Sequence, residues 1–287
     1  MNGIQDHFSG SGLDRSLWAY YNMNSPCYNA PERYGDSMLK LVEYDCFNEG
    51  NCLLSRRYTG LHASVSAVVA GVEKEGVGGA CVGFYAGNGA YTDYVLLCAD
   101  SKSLQIRVPS GAQKGASFMD AGQPQQSVLA ECGYAIHFPM ELTLRRDGDR
   151  YTAYLDGREC LRAETKLIQG DARAMIKAHY GDDRYGARYT LFDSAAVEGF
   201  APTSTLRGQV RDSEGRAIAG ASVHIAGYDN FYTLSDDAGA YELRDIPRGE
   251  NVVVAAAEGY SFARTRVDCV GGVVNRADIA LAEETQS

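Results

Sequence analysis

Met140-Glu141-Leu142-Thr143-Leu144-Arg145 alternates apolar and polar residues, Arg146-Asp147-Gly148-Asp149 follows as a turn, Arg150-Tyr151-Thr152-Ala153-Tyr154-Leu155 alternates again, and Asp156-Gly157 turns the chain once more. A period of two sends successive side chains to opposite faces, so each run reads as a strand with one face toward a core. Asp-Gly beside such runs is a strong hairpin signal. The segment is a meander of antiparallel strands, and it sets the class of the chain around it as all-β.

Working outward, the same punctuation recurs at Gly71, Gly78-Gly79, Gly87 to Gly89 and Gly181 to Gly186, with almost no helical period before residue 200. That spacing is the pattern of a β-sandwich. Gly111 to Gln126, rich in Gly, Ala, Ser and Gln, reads as a loop. The texture changes at Gly199-Phe200-Ala201-Pro202-Thr203-Ser204-Thr205, where a proline interrupts any continuing strand. The expected organisation is a sandwich over 1–200, a linker over 201–205 and a smaller sandwich over 206–287. Seven short strands are predicted in the last: Leu206 to Arg211, Ala221 to Ala226, Phe231 to Leu234, Ala240 to Leu243, Asn251 to Ala256, Ala263 to Val267 and Asn275 to Leu281.

At 287 residues the chain is long enough for two cores. A formal net charge of −10 repels a phosphate backbone or an anionic bilayer at long range, so nucleic acid is not an expected partner. No apolar run approaches the ~20 residues that cross a bilayer, so membrane insertion is not expected either, and the chain is expected to be a monomer. The first residues lack a basic stretch followed by an apolar one, so export would use a signal outside this sequence. The eight cysteines contain no Cys-x-x-Cys, and no histidine lies three to five residues from another, so no zinc site is expected. Cys46 and Cys52 flank Asn48-Glu49-Gly50-Asn51, and Cys81 and Cys98 lie on two runs joined through Gly87-Asn88-Gly89. Each pair reads either as a bridge across a hairpin or as buried thiols.

Leu206-Arg207-Gly208-Gln209-Val210, Asp212-Ser213-Glu214-Gly215, Ile218 to Val223, Ser235-Asp236-Asp237-Ala238-Gly239-Ala240-Tyr241, Ile246-Pro247-Arg248-Gly249 and Glu258-Gly259-Tyr260 follow one another in order. This run resembles the carboxypeptidase regulatory-like domain of transthyretin-like fold, from Leu206 to Leu281. Independently of the likeness, Gly215, Gly239 and Gly249 suit turns needing positive φ, and Ala221, Val223 and Ile225 point one way into a core. The resemblance implies a spacer or interaction module without peptidase activity.

The first half resembles the concanavalin A-like lectin and glucanase superfamily of jelly-roll sandwiches. Asp6 to Trp18 is similar to its opening strand and turn, Tyr151 to Gly157 to a late strand running into a hairpin, and Leu191 to Val197 to its closing strand. Hydrolytic members carry carboxylates at alternating positions of one strand, and no such motif occurs here. Asp93, Glu141 and Asp182 are isolated acids that could still pair in space, although a solvated loop acid is the commoner reading. No metalloprotease histidine pair, Gly-x-Ser-x-Gly or phosphate loop is present. The sequence requires no cofactor, and calcium held by loop oxygens is the one structural metal it leaves open, with no residues assigned.

Fifteen of the 19 tyrosines and the only tryptophan precede Pro202. Aromatic faces suit the apolar side of a sugar ring while its rim needs polar partners. Two segments offer both: Tyr85, Asn88, Tyr91, Asp93 and Tyr94 around one hairpin tip, and His179, Asp182, Arg184 and Tyr185 in another loop. Against this, tyrosine is a good strand former and sits comfortably half buried, and Trp18 reads as a packing residue. The expected function is a non-catalytic carbohydrate-binding or adhesive accessory region of an extracellular or cell-surface protein. A glycoside hydrolase or polysaccharide lyase with an unrecognised site, and a purely structural stalk, are the alternatives.

Overall fold

The computed structural model describes residues 3–9, 13–22, 32–34, 37–44, 51–72, 78–86, 93–100, 102–109, 126–180, 187–226 and 231–284. They are all-β, and among them no helix is long and apolar enough to cross a membrane. The chain divides into two compact units, Met1–Phe200 and Ala201–Ser287.

The first unit holds β1 (Gly3–Asp6), β2 (Trp18–Asn22), β3 (Glu32–Tyr34), β4 (Met38–Tyr44), β5 (Asn51–Val72), β6 (Gly78–Tyr85), β7 (Tyr94–Ala99), β8 (Ser103–Pro109), β9 (Gln126–Gly133), β10 (Met140–Asp147), β11 (Arg150–Leu155), β12 (Arg158–Glu164), β13 (Ala172–Tyr180) and β14 (Ala187–Phe200). The meander that opened the sequence reading is β10–β11–β12. Its first turn is tighter than expected, because Arg146 and Asp147 still pair with Tyr151 and Arg150. Gly148 at φ 64°, then Asp156 at φ 51° and Gly157 at φ 73°, take the left-handed conformations that tight hairpins demand.

The strand order is β12-β11-β10-β5-β13-β6-β7-β8-β9, with β14 also on β5 and joined by β1 and β4. β5 is 22 residues long, about 70 Å at the usual rise and several times an ordinary strand. Its first part, Asn51 to Thr59, pairs with β2 and β13. The remainder, from His62 onward, pairs with β10 and β14. One strand therefore belongs to two layers, β2-β5-β13-β6-β7-β8-β9 and β12-β11-β10-β5-β14. Their inner faces share a core: Val82, Phe84, Val95, Leu97, Leu104, Ile106 and Ile176 from one, Val65, Val69, Leu142, Leu144, Tyr151, Phe192 and Val197 from the other. The Phe84 and Tyr151 rings meet with centroids 6.2 Å apart and tilted by 58°, a favourable aromatic geometry.

The Trp18 indole and the Arg146 guanidinium are among the polar groups built into this unit. Trp18 is fully buried, and its Nε1 donates to Asp6 Oδ2 at 3.0 Å while Phe8 N donates to Asp6 Oδ1 at 2.9 Å. The packing role expected for Trp18 is its role. Arg146, also buried, donates to the carbonyls of Gly148, Gly170 and Ile168 at 3.1, 2.8 and 2.5 Å. Burial lowers its pKa from the ordinary arginine value.

The second unit is a sandwich of β18-β15-β23-β20, with β22 beside β15, over β17-β16-β19-β21. These strands are β15 (Ser204–Asp212), β16 (Ser222–Ile225), β17 (Tyr232–Leu234), β18 (Ala240–Ile246), β19 (Gly249–Ala256), β20 (Tyr260–Ser261), β21 (Ala263–Cys269), β22 (Val274–Arg276) and β23 (Ile279–Glu283). Ala221, Val223 and Ile225 are fully buried, as their alternation requires. Gly215, Gly239 and Gly249 have φ of 84°, 74° and 94°. Two boundaries differ from the sequence reading. Ser204 and Thr205, placed in a linker, already belong to β15. The predicted strand over Asn275 to Leu281 is two, interrupted where Ala277 N donates to Arg207 O and Asp278 accepts from Gln209 N.

Candidate binding face

Strand alternation gives the layer around β13 and β6 a second face, turned away from the shared core. In β13, Ala172, Ala174, Ile176 and Ala178 enter that core, so Arg173, Met175, Lys177 and His179 point the other way. The same parity selects Cys52 and Leu54 on β5, Gly79, Cys81, Gly83 and Tyr85 on β6, Tyr94, Leu96 and Cys98 on β7, and Gln105 and Arg107 on β8. Cys52, Leu54, Cys81, Tyr85, Tyr94, Leu96, Cys98 and Met175 form a second apolar cluster, and Arg173, Lys177 and His179 are buried with it.

Register sorts these side chains into rows. Arg173 lies opposite Tyr85, and Tyr85 opposite Tyr94. The next row runs Leu54, Met175, Gly83, Leu96, Arg107. The third runs Cys52, Lys177, Cys81, Cys98, Gln105, Glu131. His179 is opposite Gly79 at the far end. A Cβ on Gly83 would stand 2.2 Å from Val95 O, so the bare position is what lets β7 close on β6 here.

Of the residues singled out as sugar contacts, the described Tyr85 and Tyr94 stand at one end of this sheet and His179 toward the other. Tyr85 and Tyr94 close one end, where Ala86 N donates to Asp93 O at 2.7 Å. His179 is six residues along β13 from Arg173, about 20 Å at the strand rise. Tyr85 and Tyr94 are also buried, at 4% and 5% exposure, rather than displayed on an open hairpin tip, because their parity turns them into the second cluster. Asp93 is half-buried. Asn88, Tyr91, Asp182, Arg184 and Tyr185 lie outside the described residues, as do Cys46 and the loop expected over Gly111 to Gln126 up to residue 125.

Among the described residues the face is apolar and carries Arg107, Arg173 and Lys177. Arg173 donates from Nε to Ser55 O at 2.6 Å and from Nη2 to Leu54 O at 3.4 Å. Burial pushes the Cys52 thiol up to about 12 and the Cys81 thiol well above the usual range, the latter also through its contact with Cys98. Burial, with Arg107 and Lys177 nearby, holds His179 well below its ordinary 6.5, so the ring is neutral. Among the described residues, no carboxylate occupies an outward position on β5 from Cys52 to Leu54, β13, β6 or β7. The nearest acids are peripheral: Asp100 accepts from Lys102 N and Ser103 N and lies 3.8 Å from Arg107, and Glu131 accepts from Gln105 at 2.7 Å. Glu141 belongs to the other layer, opposite Val68. Proton transfer across a glycosidic bond needs two carboxyl groups roughly 5–10 Å apart, and the described residues bring no such pair together on this face.

The sequence reading missed Arg107, Arg173, Met175 and Lys177. The signal was present in Ala172 to His179, whose alternation separates small or apolar residues from Arg, Met, Lys and His. It also missed that Cys81, Cys98 and His179 converge, with ligand atoms within 4.8 Å of one another. Cys81 and Cys98 do meet across the hairpin, as free thiols.

Residues 205–282 match the family model of the carboxypeptidase regulatory-like domain. No curated protein matches the chain. Among solved structures, a prokaryotic β-1,3-1,4-glucanase (lichenase) derived from a mouse hindgut metagenome is similar at 13% identity and a TM-score of 0.48, over 69% of this chain and 100% of that one. The Bacillus licheniformis β-glucanase follows at 12% identity and 0.47, over 69% and 98%. The endo-β-1,3-glucanase of Pyrococcus furiosus stands at 10% and 0.47, over 69% and 94%.

Proposed function

We propose that the chain is a non-catalytic glycan-binding or adhesive accessory region of an exported or cell-surface protein, in which the first unit makes the contact and the regulatory-like unit is a spacer. The observation that carries this reading is the composition of the outward sheet face: tyrosines, thiols and cations at alternating positions, and no carboxylate among its described central residues. These side chains are buried, so they would back a contact surface rather than form it, and among the described residues of the face no carboxylate is placed to protonate a leaving oxygen.

Calorimetry and array screening of the full chain against neutral and acidic polysaccharides test this. Binding of at least one polysaccharide is expected, with affinity at least tenfold lower in Tyr91→Ala or Arg184→Ala. Uniform absence of binding would remove the reading in favour of a structural stalk. The lyase alternative draws on the Arg173, Tyr85, Tyr94 row, yet His179 is ~20 Å from it along the strand and Arg173 is committed to main-chain carbonyls. Release of unsaturated uronate products by the wild-type chain would reinstate it.

A further inference from the structure

We propose that Cys81, Cys98 and His179 form a binding site for a thiophilic d10 metal ion, Zn(II) or Cu(I), independent of any glycan contact. The three ligand atoms come from β6, β7 and β13, and all lie within 4.8 Å of one another. An ion held at about 2.3 Å from sulfur and 2.0 Å from nitrogen needs its ligands roughly 3.5–4 Å apart, so closure asks for rotamer adjustment and no movement of strands. All three side chains are buried, at 1%, 2% and 7% exposure.

The independent observation is His179 itself. Its Nε2 is buried and has no hydrogen-bond partner, a state that buried ring nitrogens rarely keep. A disulfide between Cys81 and Cys98 would leave the ring without a partner, whereas a metal ion would take the imidazole and both sulfurs together. Burial keeps the imidazole neutral, the form that ligates. Binding requires each thiol to release its proton to solvent; burial opposes this at Cys81, and Lys177 and Arg107 offset part of that cost. Two thiolates with a divalent ion are neutral and with a monovalent ion carry one negative charge, so the face gains no further positive charge. Thiolate and imidazole donors select zinc or copper(I) over the oxygen-seeking calcium and magnesium. Cys52, in the same row but beyond Lys177, is two strand spacings from Cys81, about 10 Å, and is not a ligand.

The test uses the full chain, reduced and stripped with a chelator. It is titrated with Co(II) as an optical substitute for zinc, with Zn(II) followed by melting temperature, and with Cu(I) under anaerobic conditions. One equivalent is expected, with thiolate-to-cobalt charge-transfer absorption and a rise in melting temperature with Zn(II) or Cu(I). Cys81→Ser and Cys98→Ser should abolish uptake, His179→Gln should weaken it at least tenfold, and Cys52→Ser should bind as the parent does. X-ray absorption of the loaded parent, expected to read two sulfurs and one imidazole, decides the matter if a variant does not fold. Uptake of no ion by the reduced chain, undiminished uptake in His179→Gln, equal loss in Cys52→Ser, or a sulfur-free coordination shell would each overturn the proposal. So would a Cys81–Cys98 disulfide in protein isolated in air whose reduced form takes up neither ion.

Discussion

His179 couples the outward face to pH. Unfolded, it takes up a proton as pH falls through about 6.5; folded, with burial and the charges of Arg107 and Lys177 against it, it holds a pKa well below that and stays neutral. The unfolded state then binds more protons, so stability falls as pH drops below about 6.5, by up to ~1.4 kcal/mol per pH unit until the folded ring itself titrates. His137 works in the opposite direction, raised by its bonds to Ala135 O and Asp156, but it is exposed and contributes less. Urea midpoints between pH 7.5 and 5.5 should fall less steeply in His179→Gln than in the parent, and parallel slopes would refute this. Arg146 makes a second residue-scale prediction. Replacing it with Met strips three carbonyls of their donor and should cost roughly 2–4 kcal/mol by chemical denaturation. Trp18→Ala removes a fully buried indole and leaves Asp6 one bond short, with an expected cost of about 3–5 kcal/mol. A loss under 1 kcal/mol would contradict the burial described.

At the scale of elements, Gly83→Ala should cost about 1–3 kcal/mol and perturb the Cys81 and Cys98 environment, since its methyl would meet Val95 O and β7 must give way. Hydrogen exchange at Val95 to Cys98 should accelerate, and unchanged protection there would show that the strands have room. The meander at Met140 to Gly157 and the turn glycines of the second unit were legible because they are written locally: a period of two, then a residue that tolerates positive φ. The break between β22 and β23 was not, because it depends on what β15 offers across the sheet. Tyr85 and Tyr94 show the same division. Their flanking of a turn could be read from the chain, but the face to which a strand turns its odd residues is decided by its neighbours. The Cys81, Cys98 and His179 convergence is hidden for a related reason, since spacing rules for metal ligands assume donors close in sequence, and here the third donor arrives 81 residues after the second through β13 pairing with β6.

For the molecule as a whole, the reach of β5 sets how the first unit comes apart. Because one continuous backbone supplies hydrogen bonds to β2 and β13 at one end and to β10 and β14 at the other, neither layer can melt and leave its neighbour intact. A proline at Leu61, where the strand passes from one set of partners to the other, would disturb both sheets at once. The structure thus ties the proposed contact surface to the opposite wall of the sandwich, and tension applied to either sheet would be shared through a single spine.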